Sequence, residues 1–470
     1  MRVSRHWTTG IFAVASLVIV AATFARTDAP AIVSPPMDAL AVVLATDAAA
    51  TAGDPLDARI ASLQQRIRTD GPTPATLERL GWTFVEKARA TGDHGYYLLA
   101  GRCARGIDRS GDDAAQAELL EGHVLQSLHR FDEAGRVAVR LVERRGSALD
   151  HGLHGDVLLD QGRLEEAIDA YGRMMRRRPD SRAYARVAEV RLLTGDLEGA
   201  RTALRTASRA VSPRDREAFA WIWSRLAIVE LQSGDEEAAR AISEAAVRTA
   251  PGSPVAEFAR GRVLLASGEY DSAVLALERA VAGSALPDVI RALADAYSAA
   301  ARPDDAARTL AQLKAGGESG DPRAYSLWLA ESGLDPERAF SLAREELTSR
   351  RDVYTLGALA LAEARTGRIE EARGHMAEAL RPGTEDPRLW YHAGVVAAAA
   401  GESVEAREWF LKARSQSQLL LPSLQRDLEQ RLAAMSSRTS PMRRSSPTKQ
   451  QSGAAAPTPV GTRPAQEEFS

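Results

Sequence analysis

A short pattern returns along most of the chain at a nearly constant interval, and this interval constrains the fold more than any other feature. Its clearest copies begin with glycine and end with alanine: GRLEEA at 162, GDLEGA at 195, GDEEAA at 234, GEYDSA at 268, GRIEEA at 367 and GESVEA at 401. Weaker copies read HRFDEA at 129 and RPDDAA at 302, and SGLDPERA at 332 to 339 has one extra residue. A chain with a fixed short period folds as a stack of similar units rather than around a single core.

Each copy of the pattern predicts a turn between two helices. Gly162 ends a helix, because glycine takes the left-handed conformation at little cost. Glu165 and Glu166 favour the start of the next helix, and residues 176–178, all arginine, favour its end before Pro179. An apolar stripe at helical spacing joins the two ends: Leu164, Ala167, Ile168, Tyr171, Met174 and Met175. The paired carboxylates and the arginine run therefore have a structural explanation.

The closing alanines give the length of the period. They are Ala134, Ala167, Ala200, Ala239, Ala273, Ala307, Ala372 and Ala406. Their spacings are 33, 33, 39, 34, 34, 65 and 34 residues, and 65 is about two repeats. With this period, and with Gly155, Ala167, Tyr171 and Pro179 in one copy and Trp390, Gly394, Ala406 and Phe410 in another, the chain resembles the tetratricopeptide repeat (TPR) family. The resemblance implies an all-α fold, a right-handed α-solenoid of helix pairs.

Composition and the repeats divide the chain into six predicted segments. They are a signal peptide or N-terminal anchor (1–27), a flexible tether (28–57), irregular N-terminal helices with a degenerate repeat (58–110), an array of about eight to nine TPR repeats (111–420), a capping helix (421–435) and a disordered tail (436–470). The capping helix carries one apolar stripe, Leu424, Leu428 and Leu432, as the end of a solenoid requires.

The N-terminus predicts export. Arg2 and Arg5 precede an uncharged apolar run, residues 10–22, as in a secretory signal peptide. The run would be about 20 Å long as a helix, shorter than the roughly 30 Å hydrocarbon core of a membrane. An uncleaved anchor over residues 7–25 is the alternative. In both cases we expect the array outside the cytoplasm: periplasmic, secreted, or tethered to the membrane through this segment.

The sequence lacks the motifs of common enzyme and cofactor sites. None of the four lysines follows a glycine, which excludes a phosphate-binding loop, and no histidine precedes a glutamate, which excludes a His-Glu-x-x-His metalloprotease. Cys103 is the only cysteine, so no disulfide forms within the chain, and its apolar context predicts a buried, inert thiol. We therefore predict no catalytic residue and no cofactor. A formal charge of −3 gives no case for nucleic-acid binding.

Three histidines have the spacing of a metal site. His151 and His154 lie on one predicted helix, and His123 lies one repeat earlier, with Asp156 nearby. The alternative places His151 and His154 between helices and His123 toward solvent. No further residue completes a ligand set, so we predict no metal. The run MMRRRPD could attract phosphates or acidic headgroups, although a helix C-terminus already explains it.

The TPR resemblance implies where a partner would bind. In this family the first helix of each repeat lines a concave groove that holds a peptide. One expected row of groove residues is His123, Asp156, Glu189, Ile228, Arg262, Ala296, Leu361 and Val395, and a parallel row is Gln116, Leu149, Arg182, Trp221, Val255, Val289, Tyr354 and Arg388. From these rows we predict eight partner-binding residues: His123, Asp156, Arg182, Glu189, Trp221, Arg262, Tyr354 and Arg388.

The predicted function is that of a non-catalytic adaptor or scaffold that binds a protein or peptide partner outside the cytoplasm. The chain contains no asparagine, so the clamp with which some TPR proteins hold acidic chaperone tails is excluded. One alternative is an accessory factor in envelope or polysaccharide assembly or secretion. A further alternative, an enzyme or metal-binding protein, requires a set of residues that the motifs do not supply.

Overall fold

A computed structural model of the protein describes residues 36–45, 55–107 and 114–439. Within these residues the chain forms α-helices and one 3₁₀ turn, without a β-strand, and consecutive helices pack as antiparallel pairs. The prediction of an all-α, right-handed TPR solenoid is confirmed. The signal or anchor predicted over residues 1–27 lies outside the described residues, as does the tail beyond residue 439.

The N-terminal helices are α1 (Pro36–Ala45), α2 (Pro55–Asp70), α3 (Pro74–Thr91) and α4 (Gly95–Arg105). The pairs that follow are α5 (Ala114–Ser127) and α6 (Phe131–Arg144), α7 (Ala148–Asp160) and α8 (Leu164–Arg177), α9 (Ser181–Leu193) and α10 (Leu197–Ala210), α11 (Arg216–Gln232) and α12 (Glu236–Thr249), α13 (Pro254–Ala266) and α14 (Tyr270–Gly283), α15 (Pro287–Ala299) and α16 (Pro303–Gly320), α17 (Pro322–Ser332) and α18 (Pro336–Leu347), α19 (Val353–Arg365) and α20 (Ile369–Leu380), and α21 (Pro387–Ala399) and α22 (Ser403–Arg414). A 3₁₀ turn, Ser417–Leu419, leads to the last helix, α23 (Pro422–Thr439).

Helix α1 lies inside the segment predicted to be a flexible tether. Val43 is fully buried, and the carbonyl oxygen of Val43 accepts a 2.8 Å hydrogen bond from Gln64 of α2. The carbonyl oxygen of Leu44 accepts a second one, 2.7 Å long, from Arg68. The prediction of a flexible tether over residues 28–57 is therefore wrong for α1. The apolar residues of this short segment find a docking surface on α2 and α4, and its alanine- and proline-rich composition did not reveal that surface.

A residue with positive φ ends the first helix of most pairs. Gly162 holds this position with a φ of 75°, while His129 and Ala301 hold it in the two weaker copies with a φ of 58° each. The copy near residue 302 therefore begins at Ala301, one residue earlier than the sequence pattern predicts. As a result Ala306, which is 4% exposed, is the alanine packed between the helices, and Ala307 is exposed.

The buried alanines show how regular the stack is once this register is corrected. They are Ala134, Ala167, Ala200, Ala239, Ala273, Ala306, Ala339, Ala372 and Ala406. Successive alanines are 33 or 34 residues apart except Ala200 and Ala239, which are 39 apart. The extra residues lie in the loop before α11 and in α11 itself, which has 17 residues where α9 and α13 have 13. A small side chain at these positions lets the two helices of a pair approach closely.

The C-terminal helix α23 closes the end of the stack. Leu424, Leu428 and Leu432 are each at most 5% exposed and pack with Phe410 of α22 in one hydrophobic cluster. The helix begins at Pro422 and extends to Thr439, slightly beyond the segment 421–435 given by the sequence pattern. It also contacts α15, which precedes it by four repeats, so the chain folds back on itself.

The superhelix is closed by contacts between residues that lie 128 or more positions apart in the sequence. We call the first helix of each pair its inner helix. The turn after one inner helix meets the loop before another inner helix, one superhelical turn later. The contacts include the backbone N–H of Arg351 donating to the carbonyl oxygen of Asp160 at 2.9 Å, and Thr384 Oγ1 donating to the carbonyl oxygen of Leu193 at 2.7 Å. We call this line of contacts the seam. It joins repeats that are distant in the sequence.

Two glycines make the close approach at the seam possible. A Cβ on Gly162 would lie 2.5 Å from the carbonyl oxygen of Arg351, and a Cβ on Gly195 would lie 2.5 Å from that of Gly383. Both glycines also have a φ of 75°. The same turn position in Gly234 and Gly367 faces open space, with no atom within 4 Å.

Candidate partner-binding site

The first two predicted groove residues are already engaged inside the solenoid. The ring of His123 packs edge-on against Trp82 with centroids 5.2 Å apart, so the alternative that placed His123 toward solvent is wrong. Burial, together with the charge of Arg89, lowers the pKa of His123 to about 3, so the ring is neutral. Asp156 accepts a hydrogen bond from Tyr171 at 2.9 Å and two from Arg186 at 2.7 and 2.5 Å.

The middle of the inner face carries side chains that remain accessible. Trp221 is 39% exposed and Tyr354 is 36% exposed. Arg225, one helical turn after Trp221 on α11, donates to Glu189 of α9 at 2.6 Å. Tyr354 lies within electrostatic range of both Glu189 and Arg225, although α19 comes five repeats after α9. Two distant parts of the sequence therefore meet at one surface.

We call this surface the inner patch: Arg182, Glu189, Trp221, Arg225 and Tyr354. Burial raises the pKa of Tyr354 well above its ordinary value, and the charge of Asp386 adds to the effect, although a third of the side chain is accessible. The surroundings of Tyr354 are therefore strongly desolvating although part of its side chain is accessible. Arg182 is the more exposed of the two arginines in the patch. Its side chain is 54% exposed and lies 3.9 Å from Asp215.

The last predicted groove residue, Arg388, belongs to a buried ionic network. Arg388 Nε donates to Glu331 at 2.8 Å, and His392 Nε2 lies 2.6 Å from the same carboxylate, which Arg291 also contacts. Burial alone would raise the pKa of Glu331, but the charges of Arg291 and Arg388 hold it well below its usual range. The network joins α15, α17 and α21.

Arg262 is occupied by the chain itself. Its guanidinium donates to the carbonyl oxygen of Leu419 in the 3₁₀ turn, and burial lowers its pKa. Nearby, Gln232 donates to the carbonyl oxygen of Glu385 at 2.6 Å, and the N–H of Ser423 donates to Asp295 at 2.7 Å. The C-terminal segment thus covers the inner ends of α11, α13 and α15.

Four apolar members of the expected rows are core residues, whereas Val255 is 39% exposed. Ala296, Leu361, Val395 and Val289 are at most 6% exposed. Leu361 and Val395 share a hydrophobic cluster with Leu420 and Leu424, and Ala296 shares one with Leu421. The expectation that these positions line a groove is wrong, because the C-terminal segment fills this half of the inner face. Trp221 and Tyr354 of the inner patch remain accessible.

Two residues important to the site were not among those predicted. Arg225 comes one turn after Trp221, and the i, i+4 spacing on α11 could have indicated it. Glu331 gave no such signal, because it lies at the end of α17, in the irregular copy with an extra residue. Trp223, by contrast, stacks on Phe219 with centroids 4.7 Å apart and points away from Trp221's environment.

The described residues offer no obvious catalytic or metal centre. His151 and His154 do not converge with Asp156 and His123 on one point, and no group of three histidine, cysteine or carboxylate side chains could hold a metal ion in the part of the chain that the structure describes. Burial raises the pKa of Cys103 to about 12, which makes this thiol unreactive. Between residues 36 and 439, where described, no helix is long and apolar enough to cross a membrane.

Comparison with known proteins agrees with the helix pairs. The family described as "Tetratricopeptide repeat" matches residues 119–181, 153–215, 188–254, 224–288 and 358–418. This chain is a tetratricopeptide repeat protein. The matched segments cover α7 to α14 and α20 to α22 completely, and a search of curated proteins gives no significant match.

Solved structures of other repeat proteins resemble this TPR protein at a low level. PilF of Pseudomonas aeruginosa is 19% identical, with a TM-score of 0.37, over 47% of this chain and 98% of that one. A human IFIT1 dimer with PPP-AAAA is 12% identical, with a TM-score of 0.44, over 77% and 86%. A tetratricopeptide repeat protein from Parabacteroides merdae is 13% identical, with a TM-score of 0.31, over 55% and 98%. None of the three is similar enough to indicate a partner for this chain.

Proposed function

We propose that this TPR protein is a non-catalytic adaptor that holds an extended segment of a partner protein against the inner patch. The observation that carries the proposal is the exposure of Trp221 and Tyr354 on inward-facing helices of a solenoid that is otherwise closed. Aromatic side chains and arginines supply most of the binding energy in protein interfaces. Aromatic surface that stays accessible on the inner face does not contribute to packing, so it is available to a partner.

The chemistry of the patch favours a peptide with mixed side chains. Trp221 and Tyr354 offer apolar surface, and the Glu189–Arg225 pair offers both a hydrogen-bond acceptor and a donor. Arg182, with most of its charge unpaired, favours an acidic residue or a carboxylate in the bound segment. Because the seam closes the side, the segment would enter through an end of the superhelix or after the seam opens.

Replacing Trp221 with alanine tests the proposal. If Trp221 anchors the partner, capture should weaken by about 2 kcal/mol, roughly thirtyfold, with an unchanged melting temperature. Tyr270→Ala is the matched control, because Tyr270 is 38% exposed on α14, an outer helix. Affinity capture from envelope extracts, quantified by mass spectrometry, compares the two variants. Equal capture by both would contradict the proposal, and early melting of the Trp221 variant would assign that residue to packing.

We further propose that the adaptor works outside the cytoplasm, with residues 1–27 as a signal peptide or an anchor. Support comes from the sequence, where Arg2 and Arg5 precede an apolar run. Residues 1–30 fused to a reporter that is active only outside the cytoplasm should give activity, and aspartates at Ile11, Val14 and Leu17 should abolish it. Activity of a cytoplasm-specific reporter fused to the same residues would contradict export.

A further inference from the structure

The turn between α6 and α7 brings together two side chains that are not part of the inner patch. Gly146 has a φ of 55°, and its N–H donates to the carbonyl oxygen of Leu141 at 3.0 Å. A Cβ on Gly146 would lie 3.6 Å from Arg177 Nη2 and 3.8 Å from His151 Nε2. Arg177, at the end of α8, and His151, in the first turns of α7, therefore approach the same point over this turn.

Neither of these two side chains has a polar partner in the described part of the protein. His151 is 3% exposed, and its Nε2 makes no hydrogen bond there. Arg177 is exposed and forms no ion pair with the described residues. A buried ring nitrogen without a partner costs about 1 to 3 kcal/mol, so its position calls for an explanation.

The neighbouring charged side chains do not supply a partner for His151 Nε2 or Arg177. Asp150 is fully buried and bound by Arg145 at 2.5 and 3.0 Å, and Arg173 is paired with Asp169 at 2.8 Å. Burial lowers the pKa of His151, and the charges of Arg177 and Arg173 lower it further. A neutral imidazole carries one N–H, and placing it on Nε2 would present a donor beside the guanidinium.

We propose that His151 Nε2 and Arg177 bind a phosphate group at the α6–α7 turn. With its proton on Nε2, the imidazole adds a donor to those of the guanidinium, which suits an oxyanion, and a guanidinium matches the geometry of phosphate oxygens. A phosphate suits the site better than a carboxylate, because it has more oxygens that can accept from the imidazole and the guanidinium at the same time. The phosphate can come from inorganic phosphate or from a phospholipid headgroup.

This site is independent of the proposed partner site. Arg177 ends an outer helix, whereas Trp221 and Tyr354 lie on inner helices of other repeats. Loss of phosphate binding would therefore leave partner capture unchanged, and loss of partner capture would leave phosphate binding unchanged.

The test uses the full chain with ¹³C-labelled histidine and inorganic phosphate, at constant ionic strength. Phosphate should shift the Cε1–H resonance of His151 in a saturable manner and raise the pKa of that ring, since a bound anion favours the protonated form. His151→Gln assigns the resonance. Arg177→Gln should weaken binding by roughly tenfold or more, the worth of one charge-assisted hydrogen bond. Arg176→Gln is the control, with the same loss of charge on the preceding residue.

Vesicles separate the two sources of phosphate. Sedimentation with vesicles that contain phosphatidylglycerol, lost in Arg177→Gln and retained in Arg176→Gln, would assign the site to a headgroup. Saturable binding of inorganic phosphate without vesicle binding would assign it to the free ion. The proposal is overturned if phosphate leaves the His151 resonance unchanged, or if both arginine variants weaken binding equally, since that result indicates only a diffuse positive surface.

Discussion

Two places along the seam hold the solenoid together by different chemistry. At the first, which we call the ionic crossing, Arg350 lies 3.5 Å from Asp160, 3.5 Å from Glu346 and 3.7 Å from Asp352, and its guanidinium stacks 5.0 Å from the centre of the Phe131 ring. At the second, the neutral crossing, Thr384 donates to the carbonyl oxygen of Leu193, and the Gly195 turn touches Gly383.

The difference shows that one fold can join distant repeats either through buried ion pairs or through neutral hydrogen bonds and close packing. Buried ions gain little net stability when paired, yet removing one partner leaves the others uncompensated and is costly. Neutral hydrogen bonds contribute about 1 kcal/mol each and do not depend on the protonation of side chains. We therefore expect the ionic crossing to be the more sensitive to substitution and to pH, and the neutral crossing to depend on steric fit.

The largest effect should come from Arg350→Met. Arg350 is 8% exposed, and its loss would leave the carboxylates of Glu346 and Asp160 without their main counter-charge. We expect the free energy of unfolding, measured in urea at pH 7.5, to fall by about 3 kcal/mol. Arg351→Met is the matched control: Arg351 pairs with Glu378 at 2.7 Å but is 48% exposed, so its loss should cost less than about 1 kcal/mol. Equal costs for both would remove the distinction between a buried crossing and a surface pair.

The second effect concerns steric fit at the neutral crossing. Gly195→Ala and Gly234→Ala both place a Cβ on a left-handed residue, at about 1 kcal/mol. Only at Gly195 would that Cβ also meet a backbone oxygen, that of Gly383, at 2.5 Å. We expect Gly195→Ala to cost about 2 kcal/mol more than Gly234→Ala in urea unfolding. If the two variants unfold alike, the turns of the superhelix do not touch at this point.

The third effect separates the two crossings by pH. Burial raises the pKa of Asp160 from 3.8 to about 6, against the charge of Arg350. The folded state therefore takes up a proton near pH 6, whereas the unfolded state does so near pH 4. This residue's contribution to stability thus increases as the pH falls from 7.5 to 4.5, by about 2 kcal/mol.

Asp160→Asn should remove this gain, since asparagine does not titrate. The free energy of unfolding in urea is measured for the wild type and the variant at pH 7.5 and at pH 4.5. The contributions of other titrating groups, such as His129, are the same in both proteins and cancel when the two are subtracted. Thr384→Val at the neutral crossing should show no such pH-dependent difference from the wild type. A constant gap between the wild type and Asp160→Asn would contradict the burial of that carboxylate.

The smallest effect should come from Thr384→Val itself. The hydroxyl of Thr384 is buried and donates to the Leu193 carbonyl oxygen at 2.7 Å, so its loss should cost about 1 kcal/mol. Thr384→Ser keeps the donor and should cost less. A larger loss in the serine variant than in the valine variant would show that the methyl group, rather than the hydrogen bond, stabilises the neutral crossing.

The local structure could be predicted from the sequence because each repeat packs mainly on its neighbours. Glycine turns, closing alanines and the capping leucines are local signals, and the capping leucines and all the closing alanines except Ala307 are buried as expected. The register error at Ala307 arose because Ala301 holds the left-handed position that glycine holds elsewhere. The helical content of residues 36–45 was missed because a ten-residue apolar segment becomes a helix here through its contacts with α2 and α4.

The site could be predicted only in part, for a physical reason. The spacing of the repeats places Trp221 and Tyr354 on inner helices, but their proximity to the Glu189–Arg225 pair depends on how far the stack rotates over five repeats. Small rotations at each interface add up, and no local pattern encodes their sum. The same holds for Arg262, which is an inner residue as expected but is covered by a 3₁₀ turn 157 residues later in the chain.

Hydrogen exchange at a single amide tests most directly whether the solenoid is closed. The N–H of Arg351 lies in a loop and donates across the seam to the carbonyl oxygen of Asp160 at 2.9 Å. If the seam is closed in solution, this amide should exchange roughly a hundredfold or more slowly than an unstructured one, and Gly162→Ala should accelerate it while the helical amides stay protected. Exchange of the Arg351 amide at the unstructured rate, within an otherwise protected solenoid, would show that the superhelix is open and that the inner patch is part of an open groove.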